Sequence, residues 1–178
     1  MAPTLRPLER YIPIVIDCTL DNIHISEQLI FDVYGSMSPL DLANTLASEY
    51  GLSPLAQYRL QRMVTAQAAP DCRPLFVRTH TGPSLIRVNL NIIIDGINMI
   101  DSFMLDINNP NLDLYATADR LIRERALVTT ALGLLKWRKA IIFQTLQSAY
   151  RAAEIASKQL DGAGVEEPVQ CSFARVSD

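Results

Sequence analysis

The sequence predicts an α+β protein made of two tandem ββαα repeats, each a β-hairpin followed by two helices, with the last helix long. Three observations predict it: a segment that recurs at a fixed offset, alternating apolar residues in both copies, and a switch to helical spacing after each. Residues 11–33 read YIPIVIDCTLDNIHISEQLIFDV and residues 85–107 read LIRVNLNIIIDGINMIDSFMLDI. The offset of 74 carries Asp21 to Asp95 and Asp32 to Asp106; shifted by one, it continues from Glu49-Tyr50-Gly51-Leu52 into Glu124-Arg125-Ala126-Leu127. Chance matches between alternating hydrophobic runs are common. This match also keeps the turn, the closing aspartate and part of a distant tetrapeptide, which marks a tandem duplication.

The first repeat spans 10–67. Ile12, Ile14, Ile16, Cys18 and Leu20 alternate with Pro13, Val15, Asp17 and Thr19, the period of two that puts one set on one strand face. Asp21-Asn22 tolerates the positive φ of a tight turn, and Ile23, Ile25, Leu29, Phe31 and Val33 mark the returning strand. Ser38-Pro39-Leu40-Asp41 supplies an N-cap hydroxyl, a proline at the first helical position and an acid three residues on. Leu42, Leu46 and Tyr50, with Ala43 and Ala47, form a helical stripe that Gly51 ends. Ser53-Pro54 opens a second helix to about Gln67, with Ala56, Leu60, Met63 and Val64 at helical spacing.

A linker, 68–84, carries Pro70, Pro74, Gly82 and Pro83. The second repeat, 85–158, opens on Ile86, Val88, Leu90, Ile92 and Ile94, turns at Asp95-Gly96, and returns through Ile97, Met99, Phe103, Leu105 and Ile107. Leu114, Ala118, Leu121 and Ile122 place its first helix over 113–126. The second helix is expected over 129–158, with Leu132, Leu135, Ile142, Leu146, Ala149 and Ala153 in one stripe. Trp137, Ile141 and Phe143 fall off that stripe, and a helix apolar on more than one side needs a second surface to pack on. The tail, 159–178, lacks periodicity and is expected to be disordered.

Composition narrows the chemistry. At 178 residues and 49% hydrophobic, the chain can bury a core, which excludes wholesale disorder. No stretch approaches the roughly 18 uncharged apolar residues of a membrane span. Arg6, Glu9 and Arg10 interrupt any signal-peptide core, so a soluble protein without membrane contact is expected. A net charge of −3 argues against a general polyanion binder. Three widely spaced cysteines, Cys18, Cys72 and Cys171, fit a reducing compartment better than a disulfide framework or zinc site. The two histidines, His24 and His80, have no ligand partner at metal-binding spacing, and no phosphate loop, Cys–His arrangement or HExxH helix occurs. No enzyme, metal or cofactor is expected.

Ile12-Pro13-Ile14 and Leu90-Asn91-Ile92, with Phe31-Asp32-Val33 and Leu105-Asp106-Ile107, resemble the tandem repeats of the Snf-five/INI-one family. These are core subunits of SWI/SNF and RSC-type ATP-dependent chromatin remodelling complexes. The resemblance covers roughly 10–67 and 84–151. It implies a nuclear, non-catalytic scaffold subunit acting in transcription regulation. Its repeats would dock SWIRM domains of the Swi-three-type scaffold subunit, within a complex that includes the remodeller ATPase. Family members also reach the nucleosome through a basic C-terminal helix. Here Glu166 and Glu167 lie in that region and only Lys158 and Arg175 follow Arg151, so nucleosome contact is expected to be indirect or weak.

Glu27 and Asp101 fall in phase with the apolar residues of each returning strand. An unpaired carboxylate on such a face costs on the order of several kcal/mol. Either a strand edge or bulge returns the side chain to water, or each acid meets a basic residue of a partner. The resemblance favours the partner and adds the acids ending each first helix, pairing Glu27 with Glu49 and Asp101 with Glu124. Thr45, Leu46 and Leu121 would supply apolar contact between them, or belong to the core. Asp32 and Asp106 read as caps of the turn that follows each hairpin. The alternative function is a nucleosome- or DNA-contacting module using the basic helix 136–151. It would rest on Lys136, Arg138 and Lys139, with Arg120 and Arg123 from the preceding helix. Against it stands a solvated face around the anchoring Trp137.

Overall fold

The computed structural model describes residues 7–69, 84–127 and 130–161, without side chains for Pro7 and 156–161. The protein is mixed α+β. In chain order the elements are α1 (Pro7–Arg10), β1 (Tyr11–Leu20), β2 (Ile23–Asp32), α2 (Pro39–Glu49), α3 (Pro54–Ala68), β3 (Leu85–Ile94), β4 (Ile97–Asp106), α4 (Leu114–Glu124) and α5 (Ala131–Asp161). The strands form two separate two-stranded sheets, β1-β2 and β3-β4. Most of the expected linker (70–83) and most of the expected tail (162–178) lie outside the described residues, as do Cys72, His80 and Cys171. Among the described residues, no helix is long and apolar enough to cross a membrane. The chain divides into two compact units, Ile12–Pro74 with Lys158–Asp178, and Met1–Tyr11 with Leu75–Ser157.

In the unit carrying the first hairpin, Asp21 (φ 50°) and Asn22 (φ 64°) occupy the left-handed region at both central turn positions. That is the type I′ geometry whose twist matches a two-residue hairpin. Ile14, Ile16 and Leu20 of β1 and Ile25 and Phe31 of β2 are buried, together with Ala43, Leu46 and Ala47 of α2 and Ala56, Leu60, Val64 and Ala68 of α3. Helix α2 starts with a full capping box: the Ser38 hydroxyl accepts from the Asp41 N–H, and the Asp41 carboxylate accepts from the Ser38 N–H. The Ser38 hydroxyl also donates to Asp41 Oδ2 at 2.6 Å, and this bond, with that from the Ser38 N–H, holds the Asp41 carboxyl below its ordinary range. Leu52 N–H donates to the Ala47 carbonyl and Gly51 N–H to that of Ser48, so α2 ends in a Schellman motif with Gly51 at φ 62°.

The unit carrying the second hairpin is built on the same local rules with different residues. Asp95 (φ 51°) and Gly96 (φ 81°) make the turn. The register runs from Ile94↔Ile97 to Leu85↔Asp106 without a bulge. Burial alternates along β3, with Val88, Leu90 and Ile92 inward and Arg87, Asn89, Asn91 and Ile93 outward. Asp113 caps α4, and α4 ends in another Schellman motif, Leu127 N–H to the Ile122 carbonyl and Ala126 N–H to that of Arg123. Here the left-handed position holds Ala126, at φ 51°. Helix α1 is absent from the sequence reading. Tyr11, which follows it, packs edge-on to Tyr115 with ring centroids 6.2 Å apart, and its carbonyl accepts from the Tyr150 hydroxyl at 3.1 Å.

Helix α5 departs from the expected stripe. Leu132 and Leu135 are exposed, whereas Trp137, Ile141 and Phe143, expected off the stripe, are buried with Ile142, Leu146, Ala149 and Ala153. Packing therefore begins at Trp137 and takes up a face wider than one stripe. The helix also runs to Asp161, three residues into the segment expected to be disordered.

Candidate functional site

The two strand acids are met from within the chain. The Tyr50 hydroxyl donates to Glu27 Oε1 at 2.8 Å, and Arg125 meets Asp101 Oδ2 through Nε at 2.9 Å and Nη2 at 2.8 Å. Tyr50 and Arg125 are the C-cap residues of α2 and α4, one position before the left-handed residue of each Schellman motif. The cap therefore places a donor beside the returning strand in both units. Both carboxylates are therefore satisfied from within the chain, a third arrangement beside the bulge and the partner weighed from sequence. The two contacts are not electrostatically equal. Tyr50 brings no cation to Glu27; the hydrogen bond to Glu27, then burial and the charges of Glu27 and Glu49, push the Tyr50 phenol above its ordinary range. Arg125 neutralises Asp101, whose side chain is 12% exposed.

The remaining expected contact residues divide by burial. Leu46 and Leu121 are core residues, at 6% and 5% exposure, so a partner cannot reach them. They sit on the α2 and α4 faces that also bury Ala43, Ala47, Ala118 and Ile122, as the helical period requires. Thr45 and Glu49 are exposed, with the Thr45 hydroxyl donating to the Asp41 carbonyl. Glu124 is exposed and lies 3.9 Å from Arg120. The surface of the first-hairpin unit is consequently the more acidic. Residues 12–69 carry Asp17, Asp21, Glu27, Asp32, Asp41 and Glu49 against Arg59 and Arg62.

The basic cluster is partly paired internally. Arg138 makes a two-pronged pair with Asp119 (2.7 and 2.9 Å), which raises its already high pKa, and Lys136 reaches the hairpin-turn Asp95 at 2.9 Å. Arg123 donates to the Asp119 carbonyl, and Lys139 is exposed. A patch for phosphate needs several unpaired cations at once; these pairings take Lys136 and Arg138 out of it and leave the charges of Arg123 and Lys139.

Three further contacts escaped the sequence reading. Gln67 of α3 brackets the backbone of Val15, accepting from its N–H at 2.9 Å and donating to its carbonyl at 2.8 Å. Gln144 of α5 does the same to Asn91, at 2.9 and 2.8 Å. Each amide acts as one rung of a missing neighbouring strand and closes the free edge of β1 or β3. Asp21 accepts from the Ser53 N–H and hydroxyl, tying the first turn to the start of α3. A glutamine at the fourteenth position of both α3 and α5 is the sequence signal for the first two. Asp32 and Asp106 accept from the N–H two residues on, at Tyr34 and Asn108, the Asx turns expected of them.

Among the described residues, no group of three or more histidines, cysteines or acids is arranged to hold a metal ion. Cys18 is half-buried, and burial pushes its thiol pKa up, away from reactivity. A shallow hollow of about 540 Å³ is lined by Asn89, Leu90, Asn91, Ile100, Asp101 and Ser102. Its one titratable group is Asp101, already held by Arg125. Neither a protein-family model nor a curated protein matches the chain.

Proposed function

We propose that the chain consists of two duplicated ββαα repeats and serves as a non-catalytic scaffold subunit of a SWI/SNF-type chromatin remodelling complex. In this reading the protein is nuclear, and its repeats dock the SWIRM domains of the scaffold subunit. The observation that carries it is the twofold recurrence of one tertiary link, the C-cap residue of the first helix meeting an acid on the returning strand. That link lies at the strand and helix end where the family resemblance puts the docking side. Recurrence at the turn acids, the strand-edge glutamines and the Schellman ends supports duplication.

Docking is stronger at the first repeat, because among the described residues no cation pairs with Glu27 or Glu49, while Asp101 is ion-paired with Arg125. A basic partner helix gains little from an acid already in an ion pair. The nucleic-acid alternative is weaker for the same reason, two of its cations, Lys136 and Arg138, being held by Asp95 and Asp119.

The test is a pull-down of a SWIRM-containing scaffold by Glu27→Lys/Glu49→Lys and by Glu49→Lys alone. The single variant alters an exposed side chain outside the Tyr50 hydrogen bond and so leaves the fold intact. Both variants are expected to lose binding with unchanged circular dichroism. Undiminished capture by folded Glu49→Lys refutes the assignment.

A further inference from the structure

The outward faces of the two hairpins differ in chemistry. On β1 and β2 that face presents Asp17, Thr19, His24, Ser26 and Gln28, all exposed. On β3 and β4 it presents Leu85, Ile93, Ile100 and Met104, with Ile97 beside the turn. Ile100 is 75% exposed and Ile93 70%. At about 200 Å² for an extended Leu, Ile or Met, the five residues leave on the order of 600 Å² of apolar surface in water, the upper end of what a monomer carries.

The two edges of this sheet also differ. Gln144 closes the β3 edge at Asn91. On β4 the register makes Asn98, Ile100, Ser102 and Met104 the residues whose N–H and C=O point away from β3. Among the described residues, no backbone group pairs with these four; the Ser102 N–H donates to Asp101 Oδ1 at 2.8 Å. Read outward from Ser102, the row Asn98, Ile100, Ser102, Met104, Asp106 is nearly palindromic: polar, apolar, small, apolar, polar.

We propose that β4 pairs antiparallel with β4 of a second copy about a twofold axis at Ser102, making a four-stranded sheet and a homodimer. This register sets Ile100 against Met104 of the second copy, twice. It also sets the Asn98 amide, a donor, opposite the Asp106 carboxylate of the second copy, an acceptor. The Ser102 N–H passes from Asp101 Oδ1 to the Ser102 carbonyl of the second copy, while Asp101 Oδ2 keeps Arg125. A foreign strand meets only one half of this pattern; a second copy meets both. Pairing also relieves two known weaknesses, an isolated two-stranded sheet and an exposed apolar edge.

The experiment is sedimentation equilibrium of the full chain in reducing buffer, from about 1 to 100 μM. Ser102→Pro removes the central edge donor while sparing every β3–β4 hydrogen bond, since that N–H faces away from β3. Ile100→Lys puts a charge into the proposed contact, and Thr19→Lys places the same charge on the outward face of the first hairpin. The wild type is expected to dimerise, Ser102→Pro and Ile100→Lys to raise the dissociation constant at least tenfold with unchanged circular dichroism, and Thr19→Lys to have no effect. If Ser102→Pro perturbs folding, Ile100→Lys decides alone, because its side chain is already in water. A wild type that stays monomeric, or a dimer that survives Ile100→Lys, overturns the proposal. The outcome is independent of scaffold docking, since Glu27 and Glu49 are untouched.

Discussion

Replacing Ala126 with glycine should stabilise the protein, although the substitution lies one residue past a helix cap and removes a methyl group. The two Schellman motifs are alike in their hydrogen bonds and differ at the left-handed position, Gly51 at φ 62° and Ala126 at φ 51°. An L-residue with a Cβ is disfavoured there by roughly 1–2 kcal/mol. Glycine in the unfolded chain gives back about 0.5–1 kcal/mol of that in extra entropy. The net expectation for Ala126→Gly is about 0.5–1 kcal/mol of added stability. The reciprocal change, Gly51→Ala, should cost a similar amount. A Cβ built at Gly51 has no heavy atom within 4 Å, so its cost is conformational and not a clash. Urea unfolding followed by far-ultraviolet circular dichroism measures both. The sign is the discriminating result: if residue 126 continued α4 as ordinary helix, Ala→Gly would destabilise by about 1 kcal/mol. A loss of stability in Ala126→Gly therefore refutes the cap assignment, and with it the equivalence of the two helix ends.

Two further outcomes are expected. Arg125→Ala leaves the largely buried Asp101 carboxylate without its guanidinium and should cost about 1–3 kcal/mol, most of it recovered in Arg125→Ala/Asp101→Ala; equal stabilities for the single variant and the wild type would show that the pair is idle. Gln144→Ala and Gln67→Ala should each speed hydrogen exchange at the amide they bracket, Asn91 and Val15, and Gln67→Ala should cost about 1–2 kcal/mol for its two part-buried hydrogen bonds. Unchanged exchange at both amides would mean that the glutamines do not hold the edges.

The elements of this protein were legible because their signals are local. A period of two fixed β1 to β4, the turn pairs at 21–22 and 95–96 matched type I′ geometry, and Ser38-Pro39 with Asp41 announced the capping box that α2 contains. Gly51 ends α2 as expected, whereas the helix expected over 113–126 stops at Glu124, with Ala126 in the left-handed region beyond it. Hydropathy along α5 was less informative, since it cannot say where along a helix packing begins. Leu132 and Leu135 are as apolar as the buried Leu146, yet they stand in water.

For the candidate site, the sequence by itself determined which residues recur: Glu27 with Asp101, and Glu49 with Glu124. It could not determine what they touch, because a carboxylate on an apolar strand face is compatible with water, with a partner, or with a donor far along the chain. Only the tertiary structure decided that the donors are Tyr50 and Arg125, and that the first brings no cation to its acid while the second does. The reason is geometric. A Schellman turn fixes the direction of the residue before it, and whether that residue reaches the strand depends on how helix and hairpin fold together, which no periodicity along the chain records.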